Sequence, residues 1–329
     1  MKNPTLLKEM LDYRGRDEMP NDFDTFWNKQ VAEVEVPQDY QLLEKDFRIA
    51  YAACYELTFK TGNGGLIYAK LVVPKLSEKV PVLFHFHGYM GQGWDWADML
   101  AYTAAGWGVV SMDVRGQSGY SLDGNREVRG NTVKGHIIRG ALDGPDQLFF
   151  KDVYLDVYTL VELVAGLDFV DENRLSSFGG SQGGALALVA AALNSRIKQT
   201  VAIYPFLADF RRVLEIGNTS EAYDELFRYF KFHETEEQLL QTLAYIDVKN
   251  LAHRISCPVK MIIGLEDDVC YPITQFAIYN CLAGQKEYHL LPEYGHETMN
   301  VRVSDTVFNW LCGTKIKRPY LISGFKSER

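Results

Sequence analysis

Apolar and polar positions along the 329-residue chain follow two rhythms, short runs of β-branched and aromatic residues and longer stretches in which apolar residues recur every three or four positions. Val80–Gly88 and Trp107–Asp113 are runs of the first kind, suited to strands buried on both faces, and Trp96–Ala105 between them has helical character. Strand, helix, strand at this spacing predicts a parallel unit with a crossover helix. The alternation continues through a helix over Asp146–Gly166, where Leu148, Val153, Val157, Leu160, Val161 and Val164 keep helical spacing. A strand around Leu175 and Phe178, an Ala- and Leu-rich helix over Ala185–Leu193 and a strand at Val201–Pro205 come next. Val259–Gly264 predicts another strand, followed by a helix near Thr274–Cys281, a strand at Glu287–Leu291 and a last helix over Met299–Leu311.

Four stretches depart from the alternation. Residues 1–45 are polar and acidic, and Phe23, Phe26 and Trp27 at i, i+3, i+4 mark one face of a short helix packed on the main body. From Phe47 to Val73 two β-rich runs flank the turn Thr61-Gly62-Asn63-Gly64-Gly65, which predicts an antiparallel hairpin at the edge of the sheet. Residues 114–145, rich in Gly, Asn and Asp, read as a long loop near the carboxyl ends of the strands, and loops of that length are more often functional than decorative. Residues 206–250, with Tyr223, Phe227, Tyr229, Phe230 and Phe232, read as a helical insertion that caps those strand ends. The expectation is one α/β domain over residues 1–329, doubly wound on a mostly parallel sheet.

Charge and composition narrow the function. With 43 acids against 34 bases the chain carries a formal charge of −9 and shows no Lys/Arg cluster, which disfavours nucleic acid and anionic membrane as partners. No apolar run approaches the ~20 residues that span a bilayer, and charges break the first ten residues before a signal-peptide core can form. Five cysteines, Cys54, Cys257, Cys270, Cys281 and Cys312, are scattered without a C-x-x-C pair, which disfavours disulfides and a zinc site and fits a reducing cytoplasm.

Gly179-Gly180-Ser181-Gln182-Gly183 has the G-x-S-x-G pattern of a nucleophile elbow, in which a strand turns sharply into a helix and holds a strained serine. Side chains at 179 or 183 would collide with neighbouring backbone as the chain doubles back, and the helix that follows directs its N-terminal dipole at the serine oxygen. By itself the pattern is common, so context decides. A serine hydroxyl needs a base, and the base needs an acid that fixes its tautomer, in the chain order Ser, Asp or Glu, His. The predicted strand 259–264 is followed by Glu266-Asp267-Asp268, any one of which can be the acid, and the next strand by His296. His233 and His253 lie in or beside the insertion and His289 within a strand, so none is placed as well. The backbone N–H of Gln182 and that of Tyr89, after His87-Gly88, are the expected donors to an oxyanion. His85-x-His87 lacks a third metal ligand at recognisable spacing. Trp94 and Trp96 suit stacking on a sugar, although core packing is the more ordinary role.

Arg115-Gly116-Gln117, Gly179-Gly180-Ser181-Gln182-Gly183 and His296-Glu297 resemble the three signature motifs of the acetyl xylan esterase and cephalosporin C deacetylase family, carbohydrate esterase family seven. The similarity extends to Asp22-Phe23-Asp24, Phe26-Trp27, Tyr68-Ala69-Lys70-Leu71, Pro205-Phe206-Leu207 and Asp209-Phe210, and so covers nearly the whole chain. The resemblance implies an α/β-hydrolase fold and a cofactor-free esterase that removes acetyl groups from xylo-oligosaccharides and related small molecules. It implies Ser181, Asp267 and His296 as triad, choosing Asp267 from the acidic trio, and Tyr89 and Gln182 as oxyanion donors. It further implies a homo-oligomer, a ring-like hexamer with internal active sites. The chain departs from the pattern at Cys270-Tyr271-Pro272, where a Pro-Pro pair is expected, and that bears on the acyl pocket. Fold alone leaves open a longer-chain carboxylesterase, a serine peptidase or a non-catalytic binding protein.

Overall fold

The computed structural model describes residues 4–124, 131–217, 223–297 and 302–313. Among them nine strands form one sheet: β1 (Tyr40–Glu44), β2 (Ala52–Lys60), β3 (Leu66–Pro74), β4 (Val80–Phe86), β5 (Gly108–Met112), β6 (Val170–Gly180), β7 (Ile197–Ile203), β8 (Val259–Gly264) and β9 (Lys286–Leu291), in the order β1-β2-β3-β5-β4-β6-β7-β8-β9. From β5 to β9 every pairing is parallel, while β1, β2 and β3 add to β5 antiparallel. All seven residues of β4 and all five of β5 are buried, as their largely apolar sequences require of central strands. Pro81, which cannot donate to a ladder, sits where the β4–β6 register shifts between Val80 and Val82.

Helices cover both faces. α4 (Phe149–Ala165), α5 (Gln182–Leu193) and α10 (Pro272–Cys281) lie in the larger core, where every residue of α5 is buried. α3 (Leu100–Ala104) and α11 (Val303–Cys312) close the smaller core with Trp107 and Phe178. The chain runs from β4 outward to β5 and then back across β4 to β6, which opens a crevice beyond the carboxyl ends of β4 and β6. This is the α/β-hydrolase architecture, and the doubly wound, mostly parallel arrangement agrees with the alternation in the sequence.

The differences from expectation lie at the ends. The hairpin β2–β3 is not the sheet edge, because β1 pairs outside it from Tyr40 opposite Phe59 to Glu44 opposite Tyr55. Four of the five β1 residues are exposed, so backbone pairing holds it and no apolar period announces it. α1 (Pro4–Asp12) also precedes the helix that was expected, α2 (Phe23–Ala32), whose Phe23 and Trp27 are buried. The last helix begins at Val303, and Met299 to Val301 lie outside the described residues.

Between β7 and β8 the insertion contributes α6 (Phe210–Ile216), α7 (Asp224–Phe230), α8 (Glu236–Leu243) and α9 (Val248–Leu251). The amino-terminal extension clasps it. The Tyr13 hydroxyl (2.7 Å) and the Arg16 N–H (2.9 Å) donate to the Asp209 carboxylate, Lys249 Nζ donates to the Asp17 carbonyl (2.9 Å), and the Trp27 indole donates to the Tyr245 carbonyl (2.9 Å).

Candidate active site

Each residue of the proposed triad follows a strand of the parallel sheet. Ser181 stands between β6 and α5 at φ 56°, ψ −122°, a strained conformation for a residue with a side chain. The glycines around it are required. A Cβ on Gly183 would lie 1.9 Å from the Phe86 carbonyl oxygen, and one on Gly179 would lie 2.5 Å from the Gly183 backbone. Gln182 opens α5, so its N–H has no partner within the helix.

His296 follows β9 and reaches Ser181 from above: Nε2 is 3.1 Å from Ser181 Oγ and Nδ1 is 2.9 Å from Asp267 Oδ2. With the Nδ1 proton donated to the carboxylate, Nε2 is the lone-pair nitrogen facing the hydroxyl. Of the acidic trio after β8, it is Asp267 that meets the histidine. Its Oδ1 accepts from the N–H groups of Val269 (3.0 Å) and Cys270 (2.7 Å), and Gln275 Nε2 donates to Oδ2 at 3.3 Å. The carboxylate is therefore buried with its acceptors occupied and its orientation fixed.

Tyr89 follows β4 on the opposite wall of the crevice, on a segment pinned by His87. The Val114 N–H donates to His87 Nε2 (2.9 Å), so the ring proton is on Nδ1 and donates to the Gly88 carbonyl (2.7 Å). Burial lowers the pKa of His87 and keeps it neutral. Both ring nitrogens are thus committed to backbone, which takes His87 out of any metal pair with His85; the latter hydrogen-bonds Ser111 Oγ at 2.9 Å. Among the described residues no three potential ligands cluster.

Three contributions went unread in the sequence. The side chains of Gln182 and Gln117 form a buried reciprocal amide pair (2.7 and 3.1 Å), and Gln182 Nε2 also donates to the His87 carbonyl (3.3 Å). This pair ties the helix bearing one expected oxyanion donor to the segment bearing the other. Cys270 is buried beside Ser181, and burial pushes the pKa of its thiol well up, so it is a neutral neighbour of the hydroxyl. The Tyr204 ring lies 4.6 Å from the His296 ring and lines the same crevice. Beside Gln117, Arg115 is buried in an ion pair with Asp156 and also donates to Asn63 Oδ1 (2.7 Å).

The crevice encloses about 610 Å³, with Ser181, His296, Tyr89, Tyr204, Trp94 and Met90 among its walls. Trp94 stacks on His85, with ring centroids 3.9 Å apart, and also lines the crevice. Trp96 packs toward Phe47 instead.

The sequence profile of the acetyl xylan esterase (AXE1) family matches residues 1–314. Acetyl esterase Axe7A of Xylanibacter ruminicola is 31% identical over 300 residues, 89% of this chain, and the chain spans 66% of that relative's length. Acetyl xylan esterase 1 from Thermoanaerobacterium sp. JW/SL YS485 superposes with a TM-score of 0.88 at 42% identity, over 93% of this chain and 98% of that one. The acetyl xylan esterase from Paenibacillus sp. R4 gives 0.84 at 34%, with the same coverages. Est1E from Butyrivibrio proteoclasticus, 18% identical with a TM-score of 0.55, shares the fold alone; it covers 76% of this chain and 94% of its own. The chain belongs to the acetyl xylan esterase family of carboxylic ester hydrolases.

Proposed function

We propose that the protein is a serine esterase that removes acetyl groups from acetylated xylo-oligosaccharides and other small acetylated molecules, cephalosporin C among them. The observation that carries this reading is the unbroken relay from Ser181 Oγ through His296 to Asp267, at 3.1 and 2.9 Å, with Ser181 and His296 both lining the crevice. Ser181 Oγ attacks the ester carbonyl carbon while its proton passes to His296 Nε2. The resulting oxyanion rests on the N–H groups of Tyr89 and Gln182. As the intermediate collapses, His296 returns the proton to the departing sugar oxygen and leaves an acetyl-enzyme. Water then gives a proton to His296 and attacks the same carbon, and acetate leaves as Ser181 recovers its proton.

The reaction needs no cofactor on this reading. A homo-oligomer, hexameric by family resemblance, and a cytoplasmic site of action belong to the same proposal. The test compares acetyl, butyryl and octanoyl p-nitrophenyl esters, a peptide anilide, acetylated xylo-oligosaccharides and cephalosporin C, with fluorophosphonate labelling of Ser181 alongside. Preference for acetyl esters and labelling lost in Ser181→Ala are expected. Faster cleavage of octanoate or anilide overturns the substrate class, and failure to label overturns the enzyme.

A further inference from the structure

Among the described residues of the insertion, Glu225 joins the wall of the crevice through side-chain hydrogen bonds to two other segments. It lies in α7, buried, and its Oε1 accepts from the Tyr89 hydroxyl (3.1 Å) and from the Ile137 N–H (2.9 Å). The same Tyr89 hydroxyl accepts the His136 N–H at 3.1 Å. Phenol, carboxylate and two consecutive backbone amides thus form a closed buried knot joining three segments: the one after β4, the long loop after β5, and the insertion. The knot has a cost the fold does not need to bear. Nearby Lys134 pairs with Asp224 (3.5 Å), and among the described residues no cation forms an ion pair with the buried Glu225 carboxylate.

We propose that Glu225 is a positioning residue for the esterase reaction: by gripping the Tyr89 phenol it fixes the backbone N–H of Tyr89 at the place where the oxyanion forms. The inference rests on the reading of Tyr89 as an oxyanion donor. Rotation of the peptide plane before Tyr89 is resisted on one side by His87, which holds the Gly88 carbonyl, and on the other by the Tyr89 side chain. Oxyanion donors act through preorganisation, so a loosened donor slows the chemical step more than it weakens substrate binding.

The groups facing Glu225 decide how the grip depends on pH. Burial raises its pKa to about 7, opposed by the Ile137 N–H, the Tyr89 hydroxyl, Lys134 and the Gly135 N–H. Tyr89 is pushed up by burial and by the Glu225 charge, so it stays a donor. His136 is lowered to about 4, chiefly by burial, so it stays neutral. Glu225 itself is the group that changes charge near neutrality, and the ionised form, with its stronger acceptors, is the one that grips. The grip is firm above pH 7 and loosens as pH falls.

The experiment measures kcat and KM from pH 5 to 9 on an acetyl ester for the wild type, Glu225→Gln, Tyr89→Phe and Ser181→Ala. Glu225→Gln is expected to lower kcat at pH 8.5 about 10- to 100-fold with KM changed less than about threefold. The fall in wild-type kcat as pH drops through 7 is expected to be shallower in its profile, because only the contribution of Glu225 is removed. Tyr89→Phe, which keeps the backbone N–H and removes the phenol, is expected to show the same split and to serve if Glu225→Gln does not fold. Wild-type kcat and an unchanged profile in either variant overturn the inference. Activity surviving in Ser181→Ala overturns the underlying reaction instead.

Discussion

The two sides of the crevice are built differently. The side with Ser181, Asp267 and His296 hangs on the ends of β6, β8 and β9, and its acid is oriented by amides two and three residues further along the same chain. The Tyr89 side is held by residues 47 and 136 positions away, on a long loop and an inserted helix, through a buried carboxylate. One side inherits its geometry from the sheet. The other has to assemble it from segments that the sheet does not order. The contrast teaches that the proposed proton relay and the proposed oxyanion donors rest on supports of different origin, so damage and adjustment should enter by different routes.

The largest test of that contrast acts on the sheet side. Asp267→Asn should lower kcat about 10⁴-fold by favouring the wrong imidazole tautomer, whereas Asp268→Asn should leave kcat close to wild type. Equal losses at the two positions would show that the acid has been misassigned. An intermediate effect is expected where the two sides meet. Gln117→Leu strips the Gln182 amide of its reciprocal partner, and leaving that group unsatisfied should destabilise the protein by about 1–3 kcal/mol in denaturant titration. A wild-type midpoint would mean the amide pair braces nothing.

A third test, read only as a change with pH, isolates the carboxylate of the assembled side. Because Glu225 has a folded-state pKa near 7 against an ordinary value of 4.5, the folded protein holds that proton more tightly than the unfolded chain does. Its contribution to stability is full below pH 4.5 and is lost as pH rises through 7. The stability of Glu225→Gln relative to wild type should therefore rise between pH 5 and pH 8, by up to about 3 kcal/mol. A difference that stays flat over this range would remove the ionised group from the account.

What the sequence makes legible follows the same division. Ser181 announces itself because the turn around it tolerates only glycine at 179 and 183, and His296 because its place after a strand is set by the alternation of elements. The choice of Asp267 within its trio needed the family resemblance, since three adjacent carboxylates are equivalent until the loop directs one of them inward. β1 escaped because both its faces meet solvent and leave no apolar rhythm. The contacts made by Glu225, Gln117 and Cys270 escaped for another reason: the groups they meet lie 136, 65 and 89 residues away in the chain, and no local spacing encodes a contact made only after the sheet has closed.

The tight approach of Gly183 to the Phe86 carbonyl has one more implication. The helix that carries one proposed oxyanion donor and the strand that leads to the other abut main chain against main chain, with no side chain interposed as a shim. The gap between the two amides is thus machined to a tolerance that ordinary substitution cannot widen by degrees, and variants that accommodate bulkier acyl groups should be found at the rim of the crevice rather than at its floor.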